Sequence, residues 1–315
     1  RTRAPLLRPD DWGSVAGGPM RPCGSRKDVK QMTTVQGQVT VVTVSFNSEA
    51  VLPAMLSSVP QGTPVVIVDN ASRDQARLRQ LADQFAARLV ACERNLGFGV
   101  ACNAGAELAQ TEFLLFLNPD AVLRAGAIEA LLDAAHRHPE ASAFNPRITR
   151  EDGSLHFKRR SNLLPKGEWL SREGLAQEGE LPVLVGSAIF VSKRNFDRVG
   201  GFDPNIFLYY EDDDLSLRLR REVGPLFYVP QAEVMHAGGV SSARSVEVAR
   251  IKGHHLGRSR VYACVKHRVR WGRTKAMVDA VLGAVSPLVL LSARKRAKEW
   301  ARLSATFRSI IGQQT

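Results

Sequence analysis

Four short apolar runs, set apart by stretches of helical periodicity, constrain this chain more than any other feature. They read VTVVTVS (39–45), VVIVD (65–69), LVAC (89–92) and FLLFL (113–117). Helical patterns separate them at about 49–59, 74–87 and 98–109, and another follows at 124–138. A strand that is apolar at nearly every position has no solvent face, so each run must be covered on both sides. Alternating strands and helices meet that need as a largely parallel α/β sheet flanked by helices. Ligands of such sheets bind beyond the carboxyl ends of the strands. Those ends read Ser45-Phe46-Asn47, Asp69-Asn70-Ala71-Ser72 and Asn118-Pro119-Asp120, three polar turns expected to converge on one rim. After residue 140 the pattern loses regularity through a Gly/Arg/Glu-rich stretch at 150–182. It resumes in VLVGSAIFVS (183–192), which reads as a strong strand of a second, acceptor-side half.

The run GGFDPNIFLYYEDDDLSLRLR (200–220) sets four consecutive acids, Glu211 to Asp214, ahead of a short amphipathic pattern. Adjacent carboxylates repel, so keeping them implies a gain: a metal, a helix N-terminus or a raised pKa on one of them. Leu215 and Leu219 fall four apart, and acids in a first turn complement the helix dipole, so a helix is expected with Asp212 at or near its N-cap. An acidic cap on a solvated helix would give the same pattern. NLGFGVACNAG (95–105) puts glycines at the start of a helix, where free N–H groups suit a nucleotide sugar. It is neither GxGxxG nor a Walker A sequence, and a plain strand-to-helix turn also explains it. In FLNPDAVL (116–123) the carboxylate of Asp120 lies just past a strand end, the place for an oxygen ligand to Mg²⁺ or Mn²⁺ on a diphosphate, or for a Pro-Asp turn. Gly186-Ser187, mid-way along the late apolar run, would admit an acceptor closely or mark a bulge.

The ordered set VSFNS, VDNAS, NLGFGVACNAG, LNPDA, GGFD and YYEDDDLSLRLR, with His236 downstream, resembles the inverting family-2 glycosyltransferases, in particular the bacterial rhamnosyltransferase-like branch. The resemblance covers about residues 39 to 240. It implies a GT-A fold, a nucleotide-diphosphate sugar donor with dTDP-rhamnose as first guess, and Mg²⁺ or Mn²⁺. It also implies that Asp69 contacts the base, Asp120 and His236 the metal and diphosphate, and Asp212 acts as catalytic base. The donor side is then Ser45, Asn47, Asp69, Asn95, Gly97, Asn103, Asn118 and Asp120, and the acceptor side Gly186, Ser187 and Glu211. Many members carry Asp where this chain has Asn118, which removes one charge from the metal site. An inverting transfer needs a base for the acceptor hydroxyl and positive charge on the departing diphosphate, and neighbouring acids are expected to raise the pKa of the base.

The net charge of +12 is local. Residues 251–315 hold 14 Lys and Arg against 2 Asp and Glu, so the rest of the chain is balanced. Within that tail Ala280–Ala293 is apolar, too short for the ~20 residues of a membrane span and broken by Pro287. Basic clusters at 266–275 and 294–298 flank it, the pattern of an anchor on an anionic membrane surface or of an amphipathic helix packed on the main domain. No aromatic platform accompanies the charge, so nucleic acid is not an expected partner.

The expected organisation is therefore a disordered segment at 1–38, a GT-A domain at 39–245 divided near residue 140 into nucleotide-sugar and acceptor halves, and a basic helical extension at 246–315. Cys23, Cys92, Cys102 and Cys264 show no paired spacing, which argues against disulfides and structural zinc. No N-terminal stretch resembles a signal peptide, and Met32 is a candidate natural start. A cytoplasmic enzyme, peripheral on the inner face of the plasma membrane, acting on a saccharide or lipid-linked acceptor is the expectation. A sugar nucleotidyltransferase is the competing enzyme reading, although Phe46-Asn47-Ser48-Glu49 lacks its Gly-rich basic loop. A non-catalytic glycan- or membrane-binding protein is the other.

Overall fold

A computed structural model describes residues 37–171, 176–238 and 245–312. Residues 1–36, most of the segment expected to be disordered, lie outside the described residues. The strands are β1 (Val39–Ser45), β2 (Val65–Asp69), β3 (Arg88–Ala91), β4 (Phe113–Leu117), β5 (Ala121–Leu123), β6 (Ala143–Thr149), β7 (Gly179–Leu181), β8 (Ala188–Ser192) and β9 (Leu226–His236). The helices are α1 (Leu52–Ser58), α2 (Gln75–Gln84), α3 (Phe98–Glu107), α4 (Ala127–Arg137), α5 (Lys193–Arg198), α6 (Glu211–Glu222), α7 (Val246–Lys266), α8 (Gly272–Ala284), α9 (Pro287–Leu291) and α10 (Ala293–Ile311).

The strands form one mixed sheet in the order β3-β2-β1-β4-β8-β6-β9-β5, with β7 also on β9. The first four are parallel. β8 runs antiparallel between β4 and β6, and β6 and β9 are parallel. Every residue of β1, β2 and β4 is buried, as their uninterrupted apolar character requires. Alternation divides them between two cores. Val39 and Val41 pack with Leu52, Leu78 and Leu131 of α1, α2 and α4, whereas Val42 and Val44 pack with Cys102, Phe196 and Leu215 of α3, α5 and α6. β2 and β4 lie on opposite sides of β1, so the crevice beyond β1 and β4 is a topological switch point.

The late apolar run is not a strand throughout. Only Ala188–Ser192 pairs in the sheet. Side chains take the preceding backbone donors: Ser216 Oγ accepts from Leu184 N (2.9 Å), Asn145 Oδ1 from Val185 N (2.6 Å) and Asp212 Oδ2 from Gly186 N (3.1 Å). Gly186 and Ser187 are therefore at the mouth of β8 rather than mid-strand. Leu117 is paired with Ala188, which brings them to the carboxyl end of β4.

The C-terminal helices pack on the catalytic half and on one another. Ser245 caps α7, its Oγ accepting from Val248 N at 3.1 Å. Gly253 and Gly257, one turn apart on α7, lie against the α10 backbone at Lys298 and Arg302, where an added Cβ would collide. Ala276, Ala280 and Ala284 form the buried face of α8. Among the described residues no helix is long and apolar enough to cross a membrane.

Candidate active site

The rim expected to hold the donor is built from loops clasped by amide and hydroxyl groups. Asn47, left-handed at φ 55°, receives a bond from Arg73 N on its Oδ1 (2.9 Å), and its own N–H donates to Ser72 Oγ (2.9 Å). Asn70 Nδ2 donates to Asn95 Oδ1 (3.0 Å) and its Oδ1 accepts from Leu96 N (2.8 Å), joining the turns after β2 and β3. Asn95 Oδ1 also accepts from Gly97 N at 2.9 Å. Gly97, at φ 88°, sits against the Phe207 carbonyl with no room for a Cβ, and Phe98 N donates to that carbonyl (3.1 Å). Both ends of the Asn103 amide grip the Phe202 backbone, each at 2.8 Å. Asn47, Asn95 and Asn103 thus shape the rim with their side chains engaged. Ser45 Oγ and Asp69 Oδ2 are buried on it with no hydrogen-bond partner among the described residues, while Asp69 Oδ1 accepts from Ser72 N at 2.8 Å.

Asn118, Asp120 and His236 meet at the end of β4. β5 pairs antiparallel with β9 so that Ala121 faces His236. His236 Nε2 lies 3.1 Å from Asp120 Oδ1 and 3.4 Å from Asn118 Nδ2. Among the described residues Asp120 Oδ2 is buried without a hydrogen-bond partner, as is Ser187 Oγ nearby, and Asn118 N donates to the Ser187 carbonyl at 3.0 Å.

The acid run opens α6, with Tyr210 rather than Asp212 as N-cap. Tyr209 and Tyr210 are both left-handed (φ 66° and 69°), a strained pair of a kind that clusters at functional sites. Each acid meets a different environment. Burial, followed by the charge of Asp212, pushes the Glu211 carboxyl up to about 8, and its Oε2 has no partner. Asp212 Oδ2 accepts from Lys158 Nζ (2.9 Å) as well as from Gly186 N. Asp213 is buried and binds Lys158 Nζ at 2.7 Å; burial raises its pKa against the pull of that lysine. Asp214, fully buried, receives Lys266 Nζ and His267 Nε2 on Oδ1 (each 2.7 Å) and Arg218 on Oδ2. Its burial alone would raise its pKa, but His267, Arg218 and Lys266 outweigh that and hold it at about 2.

Sequence reasoning missed Lys158 and His156. Burial would lower the Lys158 pKa, yet the Asp212 and Asp213 charges carry it upward. The His156 ring stands edge-on to His236 at 5.9 Å, and its Nδ1 lies 3.2 Å from Arg150. Burial and then the Arg150, His236 and Lys158 charges lower its pKa. The readable signal was HFKRR (156–160), a basic run inside an otherwise charge-balanced half. His156 thus stands beside His236 and two residues along the chain from Lys158.

The chain belongs to glycosyl transferase family 2, whose model matches residues 40–200. It is 31% identical over 267 residues to the N-acetylglucosaminyl-diphospho-decaprenol L-rhamnosyltransferase of Mycobacterium tuberculosis, covering 73% of this chain and 85% of that one. A dTDP-rhamnosyl transferase of Shigella flexneri is 26% identical over 219 residues, 67% of this chain and 72% of the relative. Among solved structures, GalNAc-T7 with UDP, GalNAc and Mn²⁺ superposes with a TM-score of 0.57 at 17% identity, over 89% of this chain and 57% of that protein. The fold is GT-A. Family membership sets aside the nucleotidyltransferase reading.

Proposed function

We propose that this chain transfers L-rhamnose from dTDP-rhamnose, with inversion, to a saccharide or lipid-linked saccharide, and that Asp212 is the general base. The observation that carries the reading is Asp212 Oδ2 at the mouth of β8, held by Lys158 and Gly186, with the His156 ring, two residues along the chain from Lys158, edge-on to His236, which in turn meets Asp120. A base there can take the proton of an acceptor hydroxyl as it attacks the anomeric carbon. Two donors fix the carboxylate, so it is oriented before the acceptor arrives. The unpartnered Asp69 Oδ2 is an acceptor for a base N–H of the nucleotide. The rhamnosyltransferase relatives support the sugar, and the carrier named for the mycobacterial one supports a lipid-linked acceptor.

Asp120 and His236 fit a divalent cation, since Asp120 offers a buried carboxylate oxygen without a partner beside the imidazole. Mg²⁺ or Mn²⁺ held there would supply positive charge beside the donor diphosphate. No group of three or more His, Cys, Asp or Glu suited to a metal occurs among the described residues, so the other ligands would be diphosphate oxygens and water. Arg150, beside the His156 ring, and Lys158, beside Asp212, add protein cations.

The exposed apolar side chains of α8 and α9, flanked by Arg and Lys, suit the anionic inner face of the plasma membrane, where a lipid-linked acceptor is presented. The test is dTDP release from dTDP-rhamnose with Mg²⁺ and an N-acetylglucosaminyl lipid acceptor, with the product anomer read by NMR. Inverted product supports the reading. Retained configuration, or no turnover of dTDP-rhamnose while another donor reacts, overturns it.

A further inference from the structure

A groove of about 440 Å³ lies between the 162–169 segment and helices α7 and α8. Its size is that of a small-molecule site. Trp169 and Val278 form its apolar walls, and Lys166, Arg260 and Lys275 line it with positive charge. Its one acid, Asp279, is tied to Arg260 at 2.6 Å. Asn162, also lining it, donates to Tyr210 Oη (3.1 Å), the N-cap of the helix that carries Asp212. Lys158, whose Nζ holds Asp212, is four residues from Asn162, so the two backbones are at most about 14 Å apart.

Val278 opens a second feature. Val278, Val281, Leu282 and Val285 are 50%, 42%, 61% and 70% exposed and follow the i, i+3, i+4, i+7 spacing of one helix face. Leu288 of α9, 52% exposed, continues it. Cations therefore sit at the end of an apolar stripe about 10 Å long on α8 alone, which starts at Val278 in the groove.

We propose that this groove binds the diphosphate of a lipid-linked acceptor, with the prenyl chain lying along the α8 stripe and the acceptor sugar directed toward Asp212. The inference rests on the transferase reading and adds the acceptor class and its seat. Lys166 and Lys275, beside an Arg260 already paired to Asp279, suit a diphosphate, and a stripe continuous with them suits a hydrocarbon tail joined to it, which neither a free phosphate nor a bare saccharide requires.

The probe is farnesyl diphosphate, titrated calorimetrically into the full chain with saturating dTDP present, so that the donor site is blocked. Saturable binding is expected, at least tenfold weaker in the Lys166→Glu/Lys275→Glu variant and in Val278→Asp, with unchanged melting temperature and dTDP affinity. Inorganic pyrophosphate and farnesol should each bind at least tenfold more weakly than the joined molecule. Equal affinity for pyrophosphate would make this a free-phosphate site and overturn the proposal, as would variants that bind like wild type. Binding to phosphatidylglycerol vesicles without affinity for farnesyl diphosphate would reassign the surface to membrane headgroups. Dimerisation abolished by Val278→Asp would reassign the stripe to a second copy. If farnesyl diphosphate binds as expected but no rhamnosyl transfer occurs, the transferase reading fails and the groove stands. Transfer without farnesyl diphosphate binding removes the groove alone.

Discussion

The rim beyond β1, β2 and β4 and the start of helix α6 manage charge in opposite ways. On the rim, neutral Asn and Ser side chains hold the loops together, and the carboxylates keep an oxygen free: Asp69 Oδ2 and Asp120 Oδ2 are buried and unpartnered. At the start of α6 the carboxylates do the holding. Asp214 is saturated by Lys266, His267 and Arg218, Asp213 is bound by Lys158, and Glu211 keeps its proton to about pH 8. Asp212 shares Lys158 with Asp213 and, of the four adjacent acids, is the one that also binds Gly186 N at the mouth of β8. A run of like charges thus becomes tolerable when a proton, a shared lysine and a cationic cluster divide its members among them.

The sharpest way to break the comparison is to remove that remaining acid. Asp212→Asn keeps the shape and should reduce turnover by about 10²–10⁴ while dTDP affinity holds, as dTDP-release kinetics and calorimetry will read. More than a tenth of wild-type turnover would transfer the base to another residue. Asp214→Ala should act on stability, because it leaves the buried Arg218 and the buried His267 ring without their carboxylate while Lys266 keeps Asp203; loss of one partner from a buried pair costs about 3–5 kcal/mol. Denaturant unfolding measures it, and a change under about 1 kcal/mol would mean that the network is not what docks the extension.

On the donor rim, Asp120→Ala and His236→Ala should weaken Mn²⁺-dependent dTDP binding by on the order of tenfold or more without altering metal-free binding. Unchanged metal dependence in both would remove the cation from this corner. The smallest effect expected is in pH dependence. With its pKa raised to about 8 in the fold, Glu211 contributes stability that is full below its unfolded value of 4.5 and is lost as pH rises toward about 8. Asp214, held at about 2, contributes stability present above 3.8 and lost as pH falls toward about 2. Melting temperature should fall on both sides, and Glu211→Gln should flatten the alkaline slope only. An unaltered slope would place the titration elsewhere.

The parts of this molecule legible in sequence are those whose partners are close by or repeat regularly. β1, β2 and β4 follow from uninterrupted apolar runs, and Asp69, Asp120 and Asp212 from their places just after a strand or at a helix start. Gly186 was misplaced because the donors around it are taken by Asn145, Asp212 and Ser216, which are distant in sequence and leave no period. Lys158 sits in an aperiodic loop, and its two carboxylates lie more than fifty residues away. The tail's charge was plain, yet the pairing of Lys266 with Asp203 and Asp214 depends on a docking geometry that only the fold supplies. Packing of α7 and α10 rests on Gly253 and Gly257, whose meaning appears once the opposing backbone is seen.

Lys266 and His267 close the far end of α7, yet they complete the charge balance of the helix that carries Asp212. A boundary drawn at residue 245 therefore cuts through a shared circuit. Exchanging C-terminal extensions between relatives, in a laboratory or over evolutionary time, cannot alter acceptor choice as an independent graft; the new extension must bring its own partners for Asp203 and Asp214, or those two acids must change with it.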